Sequence, residues 1–128
     1  MKALLDTHTF LWWNTDDPQL SDRVREIIAD GDNVIWFSAA SAWEIALKAG
    51  KGRLLLPEQP REYVLRRLLL HGFRALAVEA QHALAVYELP AVHSDPFDRL
   101  LVVQSRAERL PLLSADPAIA RYDVEVIW

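Results

Sequence analysis

His93-Ser94-Asp95-Pro96-Phe97-Asp98-Arg99-Leu100-Leu101-Val102-Val103-Gln104 opens a helix. Asp95 suits the N-cap, where a carboxylate accepts from an unpaired backbone N–H of the first turn. Pro96 suits the first helical position, because the N–H it lacks would have had no partner. Phe97, Leu100, Leu101 and Gln104 repeat at helical spacing, and Val102 and Val103 widen the apolar side. The spacing predicts a largely buried helix from Asp95 to about Arg109. Asp98 and Arg99 form a polar pair in its first turn, and the other acids of the chain are expected to converge on Asp98.

Working outward, apolar runs alternate with helical patterns. Ala3-Leu4-Leu5, Val34-Ile35-Trp36-Phe37, Leu110-Pro111-Leu112-Leu113 and Val124-Glu125-Val126-Ile127 read as strands, with Phe73 to Val78 a more polar edge strand. Between them the pattern predicts several helices. Thr7 to Trp13 is a short helix capped by Thr7. Leu20 to Asp30 is amphipathic. Ala39 to Gly50 is a helix with Trp43, Ile45, Ala46 and Leu47. Pro60 to His71 puts Tyr63, Val64, Leu68 and Leu69 on one side and Arg61, Arg66 and Arg67 on the other. Glu79 to Leu89 is a further helix, and Pro117 begins a single turn. Continuous apolar strands separated by helices are the pattern of a parallel sheet covered on both faces. We therefore expect an α/β fold in one domain, residues 1–128, with no repeat or linker.

Composition narrows the function. Of 128 residues, 52% are hydrophobic and 25% charged, a globular profile. There is no cysteine, hence no disulfide framework and no thiolate metal site. No stretch approaches the ~20 apolar residues of a membrane span, and Asp6 interrupts the first apolar run too early for a signal peptide. A cytoplasmic location is the expectation. A net charge of −4 argues against a broad phosphate-binding surface. It leaves room for a nuclease whose positive charge is a metal ion.

Four acids fall where strands end or helices begin. Asp6 follows the first strand, Glu44 lies in the helix after the second, Asp98 opens the helix that feeds the fourth, and Asp116 follows the fourth. In a parallel sheet, ligands bind beyond the carboxyl ends of the strands. Four carboxylates gathered there raise one another's pKa values unless a cation compensates. Mg²⁺ or Mn²⁺ suits an all-oxygen donor set. Each acid also has a plainer reading. Asp116 before Pro117 resembles an N-cap, Ser41-x-x-Glu44 a capping box, and Asp98 a charge on a helix dipole. Asp6 is hardest to dismiss, since a buried acid costs stability unless paired or liganded. Ser38 and Ser114 follow strands and either orient a ligand or cap. His8, His71, His82 and His93 show no ligand spacing, and His93 reads as a loop residue. Trp12, Trp43 and Trp128 are core by default, with a partner surface as the other reading.

Several segments, taken in order, carry a resemblance. They are Leu4-Leu5-Asp6-Thr7-His8, Ser38-Ala39-Ala40-Ser41-Ala42-Trp43-Glu44-Ile45, Lys48-Ala49-Gly50-Lys51-Gly52-Arg53-Leu54, His93 to Leu101, and Leu112-Leu113-Ser114-Ala115-Asp116. Together they resemble the PIN domain, and more closely the VapC-type toxins of bacterial toxin–antitoxin pairs. The resemblance runs from Met1 to Trp128. It implies a PIN-like three-layer α/β sandwich and a Mg²⁺- or Mn²⁺-dependent endoribonuclease. In the family the acids matching Asp6, Glu44, Asp98 and Asp116 form the metal site, supported by the residue matching Ser114. It further implies a homodimer and a VapB-type antitoxin that covers the site. Lys48 and Arg99 are candidates to steady the RNA backbone or to pair with an acid. Two rival readings are a Mg²⁺-dependent phosphotransfer or phosphatase domain and a non-catalytic binding module. The first needs a Lys after a later strand, and no strand here ends in Lys.

Overall fold

The computed structural model describes residues 1–128. Five strands, β1 (Lys2–Leu5), β2 (Val34–Ser38), β3 (Arg74–Leu76), β4 (Leu112–Leu113) and β5 (Val126–Ile127), form one sheet in the order β3-β2-β1-β4-β5. Every pairing is parallel. Six helices cover it: α1 (Thr7–Thr15), α2 (Asp22–Ala29), α3 (Ala39–Gly50), α4 (Pro60–His71), α5 (Ala80–Ala85) and α6 (Pro96–Glu108). No helix is long and apolar enough to cross a membrane.

The side-chain period of two assigns each strand residue to a face. Ala3, Leu5, Ile35, Phe37, Leu113 and Ile127 join one apolar cluster with Phe10, Val24, Ile28, Ile45, Tyr63 and Val64 from α1 to α4. Leu4 and Leu112 point the other way, into a second cluster with Leu101, Val102 and Val103 of α6. Two cores on opposite faces of one sheet make the three-layer arrangement, and explain why the strands read as unbroken apolar runs. Strand order reverses between β1 and β4. Their carboxyl ends therefore border the crevice where helices leave in opposite directions.

Several elements depart from the sequence reading. Helix α1 has Asp6, not Thr7, in the N-cap position, and extends to Thr15 because Asn14 and Thr15 bond back to the Phe10 and Leu11 carbonyls at 2.8 and 3.0 Å. Pro111 lacks an N–H, so β4 starts at Leu112, although the Pro111 carbonyl still accepts from Leu4 N at 2.9 Å. The helix expected over Glu79 to Leu89 ends at Ala85 and tightens to a 3₁₀ turn, Val86–Glu88. There the Val86 and Leu89 carbonyls turn to the Arg99 guanidinium, at 3.1 and 3.5 Å.

One helix also faces differently from expectation. On α4 Leu69 is exposed while Arg67 lies over the Tyr63 ring at 3.7 Å. At 100° per residue Arg67 falls beside Tyr63, and Leu69 lies 140° from Val64. Helix α3 buries Ala40, Ser41, Glu44 and Ile45 and exposes Trp43 and Leu47. The inward side of α3 thus mixes apolar Ala40 and Ile45 with polar Ser41 and Glu44.

Candidate metal centre at the carboxyl edge of the sheet

Each acid is delivered by a different element. Asp6 follows β1 and is 4% exposed. Its neighbour across the β1–β4 pairing is Ser114, whose hydroxyl donates to Asp6 Oδ2 at 2.6 Å. The same Ser114 oxygen accepts from Asp116 N at 3.1 Å, tying the turn after β4 to the end of β1. Asp116 Oδ1 accepts from Ala118 N at 2.8 Å, an Asx-type turn rather than a helix cap.

Glu44 points inward from α3 and is 3% exposed. The capping-box reading does not hold, because Ser38 caps α3 by accepting from Ala40 N at 3.0 Å. Glu44 Oε1 instead lies 2.7 Å from Thr7 Oγ1, which in turn lies 2.8 Å from Ser41 Oγ. A carboxylate only accepts, so Thr7 donates to Glu44 and accepts from Ser41. Lys48, one helical turn on, donates to Glu44 Oε2 at 2.5 Å. Burial alone would lower the Lys48 pKa. The bond to Glu44 and the charges of Glu44, Asp95 and Asp98 outweigh it and raise the ammonium above its usual value.

The two acids of α6 divide their work. Asp95 Oδ1 accepts from Phe97 N and Asp98 N, at 2.9 and 3.0 Å, and so caps the helix. Asp98, released from capping, faces the other acids. Burial first, then the charges of Asp6, Asp95 and Glu44, lift its pKa to about 7 against the pull of His93. Burial and Glu44 push Asp6 upward too, against Ser114, His8 and the Thr7 N–H. Carboxyls lifted by burial and by one another's charge are carboxyls lacking a full counter-charge.

His93, read as a loop residue, is part of this edge. Its Nε2 lies 2.8 Å from Asp98 Oδ2. One ligating atom each from His93, Asp98 and Asp116 lies within 4.8 Å of the others. An unexplained pair of histidine and acid five residues apart was the available signal. Thr7 and Ser41 carried none, since their roles depend on partners more than thirty residues away.

Two expected site residues point elsewhere. The Ser38 hydroxyl donates to Gln104 Oε1 at 2.5 Å in the interior, away from the acids. Arg99 is spent on structure. Its Nη1 reaches the Pro90 and His93 carbonyls and Tyr122 Oη at 2.9, 3.3 and 3.0 Å, while Nη2 reaches Val86 and Leu89. With five oxygens about one guanidinium, Arg99 holds residues 86–93 against α6 and is not free to meet RNA.

A shallow cavity of about 270 Å³ is lined by Asp6, His8, Trp12, Ala115, Asp116 and Pro117 and opens Asp6 and Asp116 to solvent. A larger groove of about 490 Å³ runs beside it and shares Thr7, His8, Trp12 and Lys48 with this edge before continuing over Leu54, Leu55 and Leu56. The donor set, carboxylate oxygens with one imidazole, suits a hard or borderline divalent cation, and the raised pKa of Asp98 is the imbalance such a cation would relieve.

Residues 3–125 match the model of the PIN domain. The chain belongs to the PIN-domain family. A stretch of 61 residues, 48% of this chain, is 41% identical to "Ribonuclease VapC16" of Mycobacterium tuberculosis and spans 43% of that relative. Among solved structures, VapBC2 from Rickettsia felis bound to a DNA fragment from its promoter superposes with a TM-score of 0.72 at 16% identity, covering 99% of this chain and 98% of that one. FitAB bound to an IR36 DNA fragment gives 0.66 at 20%, covering 99% and 94%. FitAcB from Neisseria gonorrhoeae gives 0.64 at 21%, covering 100% and 97%. These likenesses show the PIN fold over the whole described chain.

Proposed function

We propose that this PIN-family chain is a metal-dependent endoribonuclease, the toxin of a VapBC-type pair. The observation that carries the reading is the convergence of Asp98, Asp116 and His93, with Asp6 and Glu44 near enough to press on Asp98, at the carboxyl edge of β1 and β4. The relative named a ribonuclease supports it. Asp6, Asp98 and Asp116 would hold Mg²⁺ or Mn²⁺, and the ion would supply Lewis-acid chemistry, activating a water and neutralising charge on the scissile phosphate. Hydrolysis of the P–O3′ bond by that water would leave a 5′-phosphate and a 3′-hydroxyl. Ser114 fixes the Asp6 carboxylate through its 2.6 Å bond, and Glu44, oriented by Thr7 and Lys48, completes the coordination or takes the water's proton.

The partners follow from surfaces around the edge. The groove over Leu54, Leu55 and Leu56 is apolar and opens beside the acids, so a VapB-type antitoxin segment lying in it would carry a basic group to them. Trp43 and Leu47 form an exposed apolar stripe on α3, the surface a homodimer would cover. We place the protein in the cytoplasm, where RNA is met.

The test is incubation of purified, antitoxin-free protein with total cellular RNA and Mn²⁺, with EDTA and Asp98→Asn controls. Discrete cleavage that needs both metal and Asp98 is expected. Metal binding without cleavage of any RNA would favour a binding module instead, and absence of metal binding would overturn the reading.

A further inference from the structure

The position of His93 is built, and the acids alone do not explain why. Its carbonyl accepts from Arg99 Nη1 at 3.3 Å and lies 3.4 Å from Tyr122 Oη. Arg99 also grips Pro90 and Tyr122. Four carbonyls of residues 86–93 on one guanidinium thus fix that segment, and the consequence at the far end is one imidazole ring placed among the acids. That ring is 23% exposed, and it meets Asp98 at 2.8 Å.

Distances decide what the ring can do. In octahedral coordination with bonds of ~2.1 Å, neighbouring ligand atoms sit ~3 Å apart and opposite ones ~4.2 Å. Nε2 and Asp98 Oδ2 at 2.8 Å fit the neighbouring separation, and Asp116 falls within the same 4.8 Å sphere. Imidazole is a good ligand for transition metals and a poor one for Mg²⁺, which favours oxygen.

Resting on the metal-site reading above, we propose that His93 is a nitrogen ligand of the bound cation, and that it tilts the site toward Mn²⁺ over Mg²⁺. In the metal-free protein Nε2 and Asp98 Oδ2 share a hydrogen bond. With the cation bound, Nε2 would face the ion as a lone-pair donor, and the ring's one hydrogen would sit on Nδ1. Arg99 and Tyr122 are positioning residues in this scheme, since they touch the backbone of His93 and not the ion.

The experiment uses Mn²⁺ alone on the purified protein, read by pulsed electron paramagnetic resonance and by titration calorimetry. Wild type is expected to show a ¹⁴N coupling to bound Mn²⁺. His93→Asn should keep the melting temperature, lose that coupling, and lose about tenfold in Mn²⁺ affinity, with Mg²⁺ affinity changed far less. Mn²⁺ bound tightly with no ¹⁴N coupling in the wild type would overturn the ligand assignment and leave the acidic site standing. Coupling that survives in His93→Asn would overturn it as well, and would move the nitrogen to His8. Mn²⁺ binding that is equally weak in wild type and Asp98→Asn would instead defeat the metal site itself.

Discussion

Ser38 and Asp6 each end a strand of the same sheet, and each is nearly sealed from water. Their surroundings differ. Ser38 gives its proton to Gln104 and accepts from Ala40 N, and Gln104 in turn reaches the Ala77 carbonyl at 3.1 Å. Ser38 and Gln104 thus find their partners within the chain, as their desolvation demands. Asp6 has Ser114, but it also has Glu44 and Asp98 as like-charged neighbours, and its pKa rises. Around Ser38 the chain supplies the partners itself. At the carboxyl edge the acids crowd one another, and on the function proposed above a bound cation would relieve them.

The strongest way to break this contrast is Asp98→Asn. We expect metal-dependent RNA cleavage to fall by on the order of 10³-fold, since the clamp is worth several kcal/mol at about 1.4 kcal/mol per tenfold. The same variant, free of metal, should melt higher than wild type at pH 8, because it removes a buried charge and keeps an oxygen for His93. A lower melting temperature would mean that Asp98 serves the fold, and the contrast would collapse.

Phe10→Ala tests the other region. Phe10 is fully buried, packs on Phe37 at 4.4 Å between centroids, and meets Tyr63 and Phe73 edge-on. Truncation should cost about 3–5 kcal/mol in denaturant unfolding. A loss under about 1 kcal/mol would show that this apolar cluster is not a rigid core.

What could be read in advance follows the range of the forces involved. The parallel sheet, the edge position of β3 and the start of α6 are written in short runs: Ala3-Leu4-Leu5, Val34 to Phe37, Asp95-Pro96. Asp6, Glu44, Asp98 and Asp116 were legible as acids near strand ends because a parallel topology sends such positions to one edge. The direction in which Ser38 points was not, since its partner lies 66 residues away. Arg99 misled for a related reason. A charge beside Asp98 in sequence suggests a contact at the site, but a guanidinium is long enough to turn back to four carbonyls of residues 86–93 and to Tyr122 Oη. His93 stands five residues before Asp98, a spacing that signals no ligand pair by itself, and the folding of residues 86–93 onto α6 brings its ring to the edge.

Ser38→Ala sharpens the contrast with a smaller effect. Loss of the α3 cap costs about 1 kcal/mol, and Gln104 left without its donor costs about 1–3 more. The destabilisation should appear in calorimetric melting at unchanged Mn²⁺ affinity. A fall in Mn²⁺ affinity at unchanged stability would return Ser38 to the site.

The gentlest probe is pH. Asp98 is pushed from the usual carboxylate range to about 7, mainly by burial and then by its acidic neighbours. Between pH 4 and 7 the unfolded chain therefore releases a proton that the folded, metal-free chain retains. Folding binds the proton, so stability falls as pH rises through that window and levels off above about 7. The limit is about 1.4 kcal/mol per pH unit for one proton, and the partial exposure of the site lowers it. Other carboxylates drift in both wild type and variant, so the informative quantity is the difference between metal-free wild type and Asp98→Asn. It should be near zero at pH 4, grow in favour of the variant toward pH 7, and then flatten. Saturating Mn²⁺ should reverse its sign, because the cation binds only the folded wild-type site and adds about 2.7 kcal/mol at a concentration one hundred times its Kd. A pH-independent difference would mean that Asp98 ionises as freely as an ordinary carboxylate, and that the edge carries no unmet charge for a metal to meet.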